Sequence, residues 1–177
     1  MRKIVFSCLL GLFFLAGCSI TPNVSVQQMR EKAKFETYTF SINPPWTTQS
    51  QITNINFFGD NTFINAYRAN DGRHVVLTQS NTYKKKLGPK IRKGQLIYTS
   101  PNGFNVWVGG PKKCYCASML QSAQHFIKDP PADDCMGYAL ESPTGAVLIL
   151  AVNGPLADKE LHNLVDSLIP AKKYLKE

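Results

Sequence analysis

Cysteines are the residues of this 177-residue chain with the most chemical potential, five in all. Cys114 and Cys116 are separated by one residue, and Cys135 follows a stretch that contains His125. Cys114, Cys116, Cys135 and His125 are the ligand types of a tetrahedral zinc site, but Cys-x-Cys is tighter than the usual gap of two to four residues, so no metal or other cofactor is expected. Cys116 stands at the entrance of a predicted helix with Lys112 and Lys113 nearby, surroundings that lower a thiol pKa and favour the thiolate. The local pattern is nevertheless Cys-Tyr-Cys, not Cys-x-x-Cys, and no βαβ pattern flanks it. The third reading is a structural disulfide between Cys116 and Cys135, with Cys114 as the alternative partner. That bridge closes a loop of roughly 20 residues, worth about 3 kcal/mol in the chain-entropy model. The compartment decides among these readings, and its signal lies at the other end of the chain.

Arg2 and Lys3 precede an apolar stretch, Ile4 to Ala16. That length suits a signal h-region and is short of the roughly 20 apolar residues a bilayer span needs. The stretch ends in Leu15-Ala16-Gly17-Cys18. The tetrad, placed after a charged start and an apolar run, resembles the lipobox of bacterial lipoproteins. The resemblance implies that residues 1–17 are a signal peptide cleaved before Cys18, that the Cys18 thiol is diacylated, and that the new amine is often acylated too. Two or three acyl chains, at about 0.8 kcal/mol per buried methylene, hold a protein firmly to a bilayer. Ser19 implies the periplasmic face of the outer membrane in a host with two membranes. Export would place Cys114, Cys116 and Cys135 where disulfides persist, which favours the bridge. A thiol-dependent redox enzyme of the envelope using Cys114 or Cys116 is the alternative.

The formal charge is +8, or +6 once Arg2 and Lys3 are gone. Between Gly72 and Lys128 there are ten Lys or Arg residues and no Asp or Glu. Lys84, Lys85, Lys86, Lys90, Arg92 and Lys93 form the densest cluster. Such a cluster is either a solvated basic loop that keeps the protein soluble or a binding patch. An exported protein rarely meets nucleic acid, so the candidate partners are an anionic lipid surface, another anionic envelope component or an envelope protein. Gly88 and Pro89 inside the cluster predict a loop there.

Other chemistry is sparse. The sequence has no G-x-S-x-G elbow, H-E-x-x-H, P-loop or dinucleotide fingerprint. His74 falls in a predicted strand and His162 on the polar side of a predicted helix, and neither is expected to be a catalyst. Asp133 and Asp134 are adjacent in a Pro-rich loop, which gives no convergence for acid–base work. Trp46, Trp107 and Tyr115 are expected in the core. No catalytic residue is assigned.

The elements that would position these residues follow from periodicity. Residues 18–34 read as a lipidated polar tether running into a short helix at 26–34, and the single folded domain is expected over 35–170, with a basic tail at 171–177. Tyr38, Phe40 and Ile42 alternate with Thr37, Thr39 and Ser41 as in a half-buried strand. Further strands are predicted at 52–58, 62–69, 73–80, 95–99, 104–108, 138–141 and 146–152, separated by Gly-, Asn- and Pro-rich turns. Residues 146–152 are apolar on both faces and predict a central, covered strand. Helices are predicted over 117–128 and 158–169, the second with Asp158 as N-cap. The fold class expected is α+β, a mostly antiparallel curved sheet with helices on one face.

The tail Asn153-Gly154-Pro155-Leu156, with Glu160-Leu161, Leu164 and Ser167-Leu168, resembles the end of uncharacterised extracytoplasmic bacterial domains related to lipoprotein-carrier and sigma-factor-regulator folds. That resemblance implies a curved sheet holding helices. The functional expectation is a membrane-anchored lipoprotein that binds or scaffolds without catalysis.

Overall fold

A computed structural model describes residues 18–41, 47–57, 59–69, 73–108, 135–153 and 156–174. The strands are β1 (Cys18–Thr21), β2 (Tyr38–Phe40), β3 (Thr47–Phe57), β4 (Asp60–Ala69), β5 (His74–Ser80), β6 (Gln95–Thr99), β7 (Asn105–Val108), β8 (Cys135–Glu141), β9 (Val147–Asn153) and β10 (Leu168–Pro170). The helices are α1 (Val26–Lys32), α2 (Asn81–Ile91) and α3 (Asp158–Asp166). Eight strands make one open antiparallel sheet in the order β1-β3-β4-β5-β9-β8-β7-β6, and β10 and β2 pair in a small second sheet. The predicted strands are there, and the α+β, mostly antiparallel architecture holds. The β9 run lies between β5 and β8 and is buried along its whole length, as an apolar run on both faces predicts.

Strand alternation sorts the core into two layers. Tyr67, Val75, Leu77, Leu140, Leu148, Leu150 and Val152 point to one face, where they meet Leu161, Leu164 and Val165 of α3, Tyr38 and Phe40 of β2, and Leu168 of β10. Phe63, on that same face, packs with Val24 and with Met29 of α1. Ile64, Ala66, Val76, Val147, Ile149 and Ala151 point the other way and meet Leu87 and Ile91 of α2. The helices therefore cover both faces, which corrects the one-face expectation. A strand apolar on both sides, such as β9, demands cover on both. The predicted helix over 117–128 lies outside the described residues.

Gln79 joins the two sheets. Its side-chain amide accepts from the Tyr38 backbone N–H and donates to the Tyr38 carbonyl, both at 2.8 Å, like one more rung of a strand ladder. Because β2 is enclosed in this way, Thr37 and Thr39 are buried too, and the expected half-exposed alternation is absent.

Three further expectations are corrected. The C-terminal helix stops at Asp166, and Leu168–Pro170 is extended, pairing Leu168 with Phe40 and Pro170 with Tyr38. Pro170 disfavours helical backbone at Ile169, and Leu168 still reaches the core from a strand. Asp158 is the first helical residue; the N-cap is Ala157, whose backbone N–H donates to Glu160 Oε2 at 3.2 Å. Finally, residues 18–34 carry the short helix expected within them as α1, but the stretch before it is paired to the sheet and is not a free tether. Cys18–Thr21 pair with Phe57–Asn54 of β3, and the Val24 N–H donates to the Ile52 carbonyl at 2.8 Å. Ser25 and Gln28 form a reciprocal capping box at the start of α1. Asn61 receives Asn54 and Asn56 side-chain donors and donates to the Lys32 carbonyl at 2.8 Å, fixing the end of α1 to β4.

Among the described residues, the edges of the large sheet are β1 and β6. Leu96 and Ile97 of β6 are exposed, and its pairing with β7 slips between Leu96 and Tyr98, a β-bulge.

Candidate functional site

The segment Lys84–Lys93, expected as a loop, is mostly helix. Ser80 caps it, its Oγ accepting from the Thr82 N–H at 3.4 Å. Tyr83, Leu87 and Ile91 recur every fourth residue and pack against Ile64, Val76, Val147 and Ile149. That stripe outweighs the cost of Pro89, which sits in the last turn and is exposed. Gly88 is buried over β9; a Cβ there would stand 3.9 Å from Val147 Cγ2. The apolar spacing and the Ser80 cap were visible in the sequence, and the Gly88-Pro89 pair masked them.

Burying one stripe sends the lysines outward. Lys85, Lys86 and Lys90 lie on the side of α2 away from Leu87, Gly88 and Ile91, and all three are exposed. Lys84 is directed instead to the β8–β9 turn, its Nζ donating to the Thr144 carbonyl at 3.4 Å. Arg92, at the C-cap, forms a two-pronged ion pair with Glu141: Nε donates to Oε2 at 3.4 Å, and Nη2 pairs with Oε1. Lys93 is exposed just beyond. The cluster thus divides into a solvent-facing array of lysines and an Arg92 whose charge is matched. No acidic residue occurs in the first turn of α2, where it would complement the helix dipole, and Lys84 stands there instead.

A second feature was invisible in the sequence. A cleft of about 260 Å3 is lined by Phe35, Glu36, Gln79, Ser80, Lys84 and Thr144, among others. Glu36 Oε2 accepts from the Tyr38 hydroxyl and the Thr144 hydroxyl, both at 2.7 Å, and Oε1 pairs with Lys172 at 3.2 Å. Burial pushes the Glu36 carboxyl up, but the Thr144 and Tyr38 hydroxyls and the Lys172 ammonium together hold it below its ordinary value. Burial also raises the Tyr38 phenol. A carboxylate so well satisfied is a brace between β2, the β8–β9 turn and the C-terminal segment.

The remaining singled-out residues do not converge. His74 is buried in β5. His162 stacks on Tyr98 with ring centroids 3.7 Å apart, and the Tyr98 hydroxyl donates to Asp166 at 2.8 Å. Trp107 packs at the border of the second core layer. Cys135 opens β8 opposite Asn153. Cys114, Cys116, His125, Trp46, Tyr115, Asp133 and Asp134 lie outside the described residues, as does the expected disulfide. Among the described residues, no three His, Cys, Asp or Glu side chains could hold a metal ion, and no helix is long and apolar enough to cross a membrane. No family model matches the chain, and no curated protein or solved structure is significantly similar to it.

Proposed function

We propose that this protein is an extracytoplasmic envelope lipoprotein, anchored through acylated Cys18, whose domain binds an anionic component of the envelope through α2 without catalysing a reaction. The observation that carries the reading is the division of α2 into a buried apolar stripe and an outward array of Lys85, Lys86 and Lys90. Surface lysines near an anionic surface contribute about 1 kcal/mol each, and the contribution weakens with salt. The lipobox-like tetrad supports the anchor, and Ser19 favours the outer membrane.

The test is photocrosslinking from position 86 in intact cells, with Lys85→Glu and Lys90→Glu as the comparison. An adduct with an anionic lipid, polymer or acidic protein is expected, lost on charge reversal. A protein that yields no α2-dependent adduct is not the binder proposed. Cys18→Ala is expected to leave an unprocessed precursor; normal processing in that variant contradicts the anchor.

A further inference from the structure

The position of β1 gives the anchor an orientation. Cys18 pairs with Phe57, at the tip of the β3–β4 hairpin, whose other arm begins at Asp60. The registers Thr62 with Ser80, Gln79 with Leu148 and Glu141 with Val147 carry that level across the sheet. Cys18, Asp60, Ser80, Val147 and Glu141 therefore mark a single rim, formed by strand ends.

The basic helix runs along this rim. Asn81, its first residue, donates from Nδ2 to Asp60 Oδ1 at 3.0 Å. Lys84 reaches Thr144 in the β8–β9 turn, Gly88 lies over Val147 at the start of β9, and Arg92 pairs with Glu141 at the end of β8. Thus α2 crosses strand ends from β5 to β8. It starts about 14 Å from the β1 edge, three strand spacings at about 4.8 Å each. Lys32, whose carbonyl is held by Asn61, belongs to the same rim. The opposite rim carries the start of α3, where Arg73 and Glu160 pair at 3.0 Å and Lys159 is exposed.

We infer that the Cys18 rim rests on the anionic phospholipid headgroups of the leaflet that takes the acyl chains, so that the domain stands in one orientation with α2 lying flat along the surface. The inference deepens the anchor and α2 readings above and rests on them. A flexible tether would let the domain tumble; β1 hydrogen-bonded from Cys18 onward leaves no slack for that. Charge and anchor then act on the same surface. The acyl chains hold the rim at the headgroups, and the lysines need no search to find them.

Lysine acetylation footprinting of the lipidated full-length protein tests this without altering it. In vesicles containing phosphatidylglycerol, Lys84, Lys85, Lys86 and Lys90 are expected to react on the order of fivefold more slowly than in the same protein solubilised in neutral detergent, while Lys159 is unchanged. A Gly/Ser linker inserted between Cys18 and Ser19 should abolish most of that protection while the protein stays vesicle-bound. Equal reactivity of the α2 lysines on those vesicles and in detergent overturns the orientation. If that protein still binds heparin through Lys85, Lys86 and Lys90, the binding reading survives and only the orientation falls. Protection that persists in the linker variant overturns the role of the spacer-free strand. A protein recovered without acyl groups overturns the anchor and the orientation together.

Discussion

Replacing Pro89 with alanine tests the unexpected helical state of the basic segment. Pro89 is the ninth residue of the eleven-residue α2 and lies on its solvent side, so the substitution removes no core contact. Proline there cannot donate to the Lys85 carbonyl, and its ring crowds that carbonyl. In a helix interior the penalty relative to alanine is about 3 kcal/mol, less near a frayed end. Alanine also loosens the unfolded chain, which gives back about 0.4–1 kcal/mol. The expected net gain is about 1–2 kcal/mol, or a rise in Tm of roughly 2–8 °C for a domain of this size. Urea denaturation followed by far-UV circular dichroism measures it, with the slope m unchanged. A loss of stability, or no change within error, would refute a helix through residues 85–91 and restore the loop.

Three other substitutions probe the packing. Gly103 has φ +87, and a Cβ there would meet Pro143 Cγ at 2.8 Å, so Gly103→Ala should cost about 1–3 kcal/mol, read from the denaturation midpoint. A cost near zero would mean that Gly103 neither holds a left-handed backbone nor abuts Pro143. Thr78 is buried, and its hydroxyl finds no hydrogen-bond partner among the described residues; Thr78→Val should stabilise by about 1 kcal/mol, and destabilisation would reveal a partner for the hydroxyl. Glu36, with its pKa lowered, contributes stability above the ordinary carboxylate range and loses it as pH falls through the folded-state value. Between about pH 5 and pH 3, Glu36→Gln should therefore lose less stability than the parent protein, and parallel pH–stability curves would count against the brace.

Local pattern carried much of the sheet into view. Alternation and turn residues located β3, β4, β5, β6, β7 and β9 because each signal lies within a few neighbouring residues. The failures share a cause, which is tertiary contact overriding local preference. In α2 the stripe Tyr83, Leu87 and Ile91 competed with Gly88 and Pro89, and burial against β9 prevailed. At the C-terminus Leu168 and Ile169 fit a helical period, yet Pro170 and pairing with β2 drew them into a strand. Cys18–Thr21 has too few residues to announce a strand and gains its conformation from β3. The Glu36 brace joins residues 36, 38, 144 and 172, and no local signature links positions so distant. The basic residues themselves were found from composition; their division into an outward array and a matched Arg92 required the fold.

The bulge in β6 has a bearing on crowding. Molecules confined to a plane meet far more often than the same number in free solution, and an open sheet offers backbone donors and acceptors at its outermost strand. Leu96 and Ile97 add apolar side chains to that strand. The slipped register between Leu96 and Tyr98 breaks the even spacing that a neighbouring copy would need to zip on. Copies of the domain brought close together, as the proposed anchor would bring them, are thereby kept separate, with the irregularity of one strand serving as the guard against fibre growth.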